Sequence, residues 1–248
     1  MERITSVNDI KKLGTILGVW AHPDDETFFS SGIMAAAVKN GQKVICITAT
    51  DGEAGVQDES KWPAQKLAKI RRTELDLATE IIGVKHRHSL GFKDGSCSKL
   101  GQAGVNCVYN YVEKYQPDTI LTFNFDGLTG HDDHKAVCEW SVLAQKQSKK
   151  RQISIYHAVI EKDQFSDGLD IMDQKFNMFF NIDKPNLVDK DMCDIYFEHP
   201  KGFKEIKYRA LKALESQTSL MMSEFDKNFI MNALSVESFV KNQAINYS

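Results

Sequence analysis

Ile16-Leu17-Gly18-Val19-Trp20-Ala21-His22-Pro23-Asp24-Asp25-Glu26 is an apolar run that ends abruptly in a knot of polar side chains. A short unbroken apolar run closed by a proline-containing turn fits a strand buried on both faces. The Ala-rich stretch 31–39, closed by Asn40-Gly41, predicts a helix, and the β-branched run 43–49, ending at Asp51-Gly52, predicts a second strand. Strand, helix and strand at this spacing form a parallel crossover unit. The polar knot therefore falls at the carboxyl end of the first strand.

The alternation continues outward from this unit. Helices are expected over 65–82, stopped by Gly83, over about 105–115, ended before Pro117, and over 135–147. Strands are expected near 86–90, 119–123 and 153–160. This pattern implies an α/β fold, a Rossmann-like, mostly parallel sheet with helices on both faces. Beyond Glu161 the alternation weakens, and an excursion of loops and short strands should precede closing helices over 203–216 and 222–242. No repeat, low-complexity segment or Pro/Gly-rich linker cuts the chain, so one domain over 1–248 is expected, with a motif core of about 13–145 and a more variable part over 161–248. In open parallel sheets the ligand crevice lies outside the carboxyl ends of the strands. Each polar knot here, 21–26, 50–55, 91–95 and 131–134, follows a strand, so these catalytic loops should converge at one rim.

Composition narrows the partners. With 248 residues, 42% hydrophobic and 26% charged, the chain can bury a full core. A net charge of −3 offers no footprint for nucleic acid or an anionic membrane, which favours a small-molecule substrate. No stretch approaches the roughly 18 apolar residues of a membrane span. The Met1-Glu2-Arg3 start lacks an apolar signal core, so a cytoplasmic protein is expected. Cys46, Cys97, Cys107, Cys138 and Cys193 are scattered, form no Cys-x-x-Cys pair and read as reduced thiols. Lys146, Lys149, Lys150 and Arg151 read as a solvated helix end. A homo-oligomer is compatible with the sequence and not specified by it.

The knots themselves look like a split metal site. His22 and Asp25 are three apart, so one tight turn can aim an imidazole and a carboxylate at one point while Asp24 stays free. His131-Asp132-Asp133-His134 can supply a third ligand. Two histidines and a carboxylate leave positions open for water and substrate, which separates catalytic sites from closed structural ones. A lone His-x-x-His carries little weight; its pairing with His22 and Asp25 after another strand of the same sheet carries much. His86 and His88 share a strand face without a carboxylate companion, and His157 and His199 read as structural or surface residues. The same ligand set also serves non-haem Fe(II) oxygenases, though those use a β-jelly-roll rather than βα units. A non-catalytic sugar-binding module is a third reading, against which Asp24 and His131 speak, being unnecessary for binding alone.

Ala21 to Glu26, Arg71-Arg72-Thr73-Glu74-Leu75, Gly91-Phe92-Lys93-Asp94-Gly95 and Gly130-His131-Asp132-Asp133-His134 together resemble the LmbE-like, or PIG-L, zinc-dependent deacetylases. These enzymes remove acetyl or related acyl groups from N-acylated amino sugars and glycosides. The resemblance implies that His22, Asp25 and His134 bind Zn2+, that Asp24 is the general base and that His131 steadies the oxyanion. Fe2+ is an alternative ion, because affinity alone does not fix metal identity. Asp133 is expected to hold the His131 imidazole in its cationic form. Arg71 and Asp94 are implied sugar contacts, although Arg71 and Glu74 also fit an i, i+3 salt bridge on a solvated face, and Asp94-Gly95 a turn. Ala213-Leu214-Glu215-Ser216-Gln217 resembles the family's closing stretch, with Leu214 where histidine is common; Asp132 stands where proline is usual. Neither departure removes a metal ligand.

Overall fold

The computed structural model describes residues 3–150 and 152–241, so residues 1, 2, 151 and 242–248, which include the start read above, Arg151 and Asn242, lie outside it. The expected alternation runs through β1 (Ile16–Trp20), α1 (Asp25–Lys39), β2 (Val44–Thr50), α2 (Ala64–Ile82), β3 (His86–Phe92), α3 (Gln102–Tyr115), β4 (Thr119–Thr122), α4 (Asp132–Gln147) and β5 (Ser154–Glu161). These five strands pair in parallel in the order β3-β2-β1-β4-β5. β1 and β2 are buried along their whole length, as unbroken apolar runs in a parallel sheet require. α1 and α2 pack together on one side and α3 packs on α4 on the other, so both faces are covered. The order reverses between β1 and β4, and the crevice of an open α/β sheet opens at such a point. The two richest polar knots leave those two neighbouring strands.

After β5 the chain makes the expected excursion: one turn of α5 (Lys162–Gln164), a wide turn over Phe165–Leu169, α6 (Asp170–Phe176), β6 (Leu187–Val188) and β7 (Ile195–Glu198). α7 (Lys201–Ala213) packs on α1 and α2 and breaks at Leu214, short of the Ser216 expected from the sequence. The closing helix expected over 222–242 does not form. α8 (Glu215–Glu224) ends at Phe225, and Asp226 caps α9 (Lys227–Ala233) by accepting from the Asn228 and Phe229 amides at 2.8 and 3.0 Å. The remainder is β8 (Val236–Lys241), antiparallel to both β5 and β7. The reason is local, since Val236-Glu237-Ser238-Phe239-Val240 carries β-branched and aromatic residues without a helical stripe. Trp20, Phe123, Trp140, Phe197 and Phe239 are fully buried, so the core runs continuously from the parallel strands into the antiparallel extension.

Candidate metal centre

The first knot is a turn that ties itself. The His22 amide donates to Asp25 Oδ2 at 2.7 Å, the Asp25 amide to the His22 carbonyl at 3.3 Å, and the Thr27 and Phe28 amides to the Asp24 carbonyl at 2.9 Å each. Asp24 precedes the first turn of α1 with φ at 141°, a conformation that costs a non-glycine residue roughly 1–3 kcal/mol and persists only where neighbours over-determine it. Arg71 is one such neighbour. Its guanidinium donates to the Pro23 and Gly52 carbonyls at 2.7 Å each and to Asp24 Oδ2 at 3.0 Å. Gly52, at φ 67°, leaves room for that guanidinium, into which a Cβ would run.

The second knot is fixed from beneath. The His134 ring stacks on Phe123 with centroids 4.0 Å apart, and its Nδ1 donates to the Gly127 carbonyl at 2.9 Å. That bond leaves the Nε2 lone pair free to face the crevice. Gly127, at φ 75°, is needed here, because a Cβ would stand 2.9 Å from the His131 carbonyl oxygen.

Between the knots, His22 Nδ1 lies 3.1 Å from His134 Nε2, and Asp25 reaches both, Oδ2 at 3.5 Å from His22 Nδ1 and Oδ1 at 3.5 Å from His134 Nε2. Ligand atoms bound at about 2.0–2.2 Å to one tetrahedral ion stand roughly 3.3–3.6 Å apart. Two imidazole nitrogens facing each other beside a buried carboxylate therefore suit a divalent cation, and the residues fit the metal this family of sites implies. His131 closes on the same two histidines, with ring centroids 4.7 Å from His22 and 5.1 Å from His134. Among the described residues the compact ligand groups are His22 with His131 and His134, and His22 with Asp94 and Asp133.

The far side of His22 explains the second group. Nε2 is buried, 3.1 Å from Asp94 Oδ1 and 3.5 Å from Asp133 Oδ2, without a well-directed hydrogen bond to either. Burial opposes charge on this imidazole, but the Asp133, Asp25 and Asp94 carboxylates outweigh it and hold the His22 pKa well above its usual value. Asp94 also accepts from the Ala54 amide at 3.0 Å, and its pKa is held at about 2, His22 overcoming its burial. Asp133 accepts from the Gly95 and Cys97 amides at 2.8 and 2.9 Å.

Asp133 thus does not face His131 with its carboxylate, as the sequence suggested. Its backbone amide donates to His131 Nδ1 at 3.1 Å, which leaves Nε2 as the ring's proton-bearing nitrogen. Burial and the nearby His22 lower the His131 pKa, which disfavours the cation expected from the sequence. Arg71 and Glu74 likewise form no pair on a solvated face. Both are buried, Arg71 under Asp24 and Glu74 against the Ser216 amide and hydroxyl at 2.8 and 2.6 Å. His86 and His88 stand on β3 beside Tyr115, away from the centre, and His157 and His199 are buried.

Two carboxyls stand out for their environment. Burial, only partly offset by Arg71, raises the Asp24 pKa to about 7, and burial raises that of Glu26 to about 8. Glu26, in the first turn of α1, is placed to favour the helix dipole. It is also wholly buried, accepting from the Thr27 hydroxyl at 2.6 Å and the Asp24 amide at 3.3 Å. Only its place beside Asp25 in the knot signalled this role.

A split site of this kind, set where the strand order of a parallel sheet reverses, defines a metal-site α/β protein. The family model for PIG-L, GlcNAc-PI de-N-acetylase, matches residues 17–144, and the chain belongs to that family. It is 31% identical over 150 residues to the 1D-myo-inositol 2-acetamido-2-deoxy-alpha-D-glucopyranoside deacetylase of Nakamurella multipartita, an alignment covering 49% of this chain and 51% of that enzyme. The chain thus spans about half the length of that relative. In fold it is similar to the N,N'-diacetylchitobiose deacetylase of Pyrococcus horikoshii, with a TM-score of 0.66, 20% identity and coverage of 96% of this chain and 87% of that one. It is also similar to the 4-carboxy-2-hydroxymuconate hydratase of Pseudomonas putida KT2440, with a TM-score of 0.62, 14% identity and coverage of 93% and 96%. The same fold thus carries more than one reaction, and function has to be argued from the site.

Proposed function

We propose that the chain is a zinc-dependent hydrolase that removes the acetyl or a related acyl group from the nitrogen of an amino sugar or GlcNAc-type glycoside, working as one domain in the cytoplasm. The observation that carries this reading is the approach of His22 Nδ1 and His134 Nε2 to 3.1 Å, with Asp25 Oδ2 3.5 Å from the first and Asp25 Oδ1 3.5 Å from the second, beside a separate, partly buried carboxyl on Asp24. In this reading those three residues hold the ion. When bound, it polarises the acyl carbonyl and lowers the pKa of a water towards neutrality. Asp24 takes the proton of the attacking water and delivers it to the leaving amine nitrogen. Arg71 acts through Asp24, holding its oxygen at 3.0 Å, rather than by reaching the sugar. His131 donates through Nε2 to the oxyanion as the carbonyl becomes tetrahedral; loss of one such donor costs about 2.7–4 kcal/mol of barrier. Asp94 and Asp133 fix His22 from behind, as carboxylates commonly do for metal-bound imidazoles. The family membership supports amide hydrolysis, and the deacetylase named among the relatives supports an N-acetylated glycoside.

The test is acetate release from a panel of N-acetylglucosaminides by protein reconstituted with one equivalent of Zn2+ or Fe2+. Release that depends on the ion is expected. A fully loaded protein that releases no carboxylic acid from any member of this panel or of its longer N-acyl counterparts would overturn the reading.

A further inference from the structure

A cavity of about 560 Å³ opens beside the centre, with Asp24, Asp25 and His134 at its inner end. Its remaining walls are distant in sequence: Phe28 and Phe29 on α1, Ile160 on β5, Phe176 and Phe179 in the excursion, and Met221 on α8. These side chains are carbon. Of the polar residues that also line it, Gln164 donates to the Val236 carbonyl at 2.9 Å, Gln217 to the Gly55 carbonyl at 3.0 Å and Glu237 pairs with Lys207 at 3.0 Å, while Gln57, Thr129, Asn177 and Ser238 are interspersed among more numerous apolar side chains. On the solvent side of the cavity Phe180 and Leu220 remain 66% and 51% exposed. His131, Asp94 and Asp133, which could meet hydroxyls, take no part in the lining.

This separation speaks to the substrate. A sugar ring carries a hydroxyl on almost every carbon, and hydroxyls pushed against such walls lose water without gaining partners. An acetyl group does not need the space either. At about 30 Å³ per heavy atom, its three heavy atoms fill roughly 90 Å³, whereas an eight-carbon chain fills roughly 240 Å³.

We infer that this cavity is a subsite for a bulky apolar group carried by the amino-sugar substrate, either an acyl chain longer than acetyl or an alkyl or aromatic aglycone. The inference rests on the deacylase reading above and deepens it. The amide sits at the inner end beside Asp24, the apolar group lies along Phe28, Phe29 and Phe179, and the sugar stays on the polar side of His22.

Two substrate series test it and separate the sources. One lengthens the acyl chain of N-acylglucosamine from acetyl to decanoyl; the other lengthens the aglycone of N-acetylglucosaminides from methyl to octyl. Each methylene fully buried is worth about a fourfold gain. One series should therefore raise kcat/KM tenfold or more over its first four methylenes, chiefly through KM, and Leu220→Asp should lower the ratio of longest to shortest substrate. The series that responds identifies the group. Turnover of the shortest members with flat or falling kcat/KM along both series would overturn the subsite and leave the deacylase reading intact. If no member turned over, the deacylase reading would fail, and calorimetry would still decide the cavity. Hexyl glucoside should bind at least tenfold more tightly than methyl glucoside, with a more negative heat-capacity change, and equal binding would overturn the subsite.

Discussion

Between residues 16 and 147 the histidines and aspartates of the centre lie in the loop or first helical turn that follows a parallel strand, with Arg71 reaching in from α2, whereas between 161 and 241 the residues that face the same crevice are mostly carbon. The two regions solve different problems. The crossover units bring four loops to one rim by topology alone, so chemistry dispersed over more than a hundred residues converges without long-range side-chain design. The later region reverses strand direction, inserts β8 between β5 and β7, and builds a wall from α5, α6 and α8. In our reading the first region sets the reaction and the second sets what else the substrate carries.

The largest effect belongs to the ligands in the first region. His22→Ala, Asp25→Ala or His134→Ala should each strip the divalent ion and abolish deacylation, because a three-ligand site loses its geometry with any one of them. Metal content by elemental analysis checks this. Full occupancy in all three variants would mean that the ion sits elsewhere, with the Asp94 and Asp133 side of His22 as the next place to look.

Next in size is the joint between the regions. Glu237 on β8 accepts from the Gly32 and Ile33 amides of α1 at 2.9 and 2.8 Å and from Lys207 at 3.0 Å, while Lys207 also donates to the Phe28 carbonyl at 2.6 Å. His199 stands 3.4 Å away. A late strand and a late helix thus grip the middle of the helix that begins with Asp25. Glu237→Gln leaves the Lys207 charge buried and unpaired, so stability should fall by about 3–5 kcal/mol. Despite burial, Lys207 and His199 hold the Glu237 pKa at about 2, against an ordinary value of 4.5. The sign follows from that depression: this carboxylate contributes fully above pH 4.5 and its contribution is lost as pH falls through 2. The gap in melting temperature between wild type and Glu237→Gln should therefore be widest at neutral pH and shrink on acidification from about pH 5. A gap independent of pH would show that packing, not charge, makes the joint.

Asp24→Asn should come third, with metal and melting temperature retained while turnover falls roughly 10²-fold or more, as for the loss of a positioned base. Loss of the ion in this variant would exchange the roles of Asp24 and Asp25.

How much of this was legible follows the same division. Apolar and β-branched runs at 16–20 and 43–49 announced the buried parallel strands Ile16–Trp20 and Val44–Thr50, and the polar knots after them announced the crevice. The meeting of His22, Asp25 and His134 was readable because the first knot's three-residue spacing is local and the second knot follows the neighbouring strand. What stayed hidden depends on contacts that spacing does not encode. Arg71 lies 47 residues from Asp24 and Ser216 lies 142 from Glu74. The direction of the Asp133 carboxylate, towards Gly95 and Cys97 rather than His131, is set by a loop from another strand. The strand at 236–241 fell inside the helix expected over 222–242, where the Asp226 cap is the local signal of a break.

The smallest effect is the most discriminating. Asp94 can serve the sugar, as the sequence resemblance implied, or serve His22, from whose Nε2 it stands 3.1 Å. The two roles separate in Asp94→Asn, which keeps size and the capacity to accept from Ala54. If Asp94 holds the His22 imidazole, metal affinity should weaken by about 10- to 100-fold, the usual consequence of losing a carboxylate behind a metal-bound histidine. Under metal saturation KM should then stay near that of wild type. If Asp94 instead binds a hydroxyl, metal affinity should be unchanged and KM should rise at saturating metal. Titrating the apo-protein with Zn2+ in a competing chelator, followed by kinetics at full occupancy, reads both quantities from one preparation. A raised KM with unaltered metal affinity would move Asp94 to the sugar side and leave Asp133, 3.5 Å from the same nitrogen, as the group that orients His22.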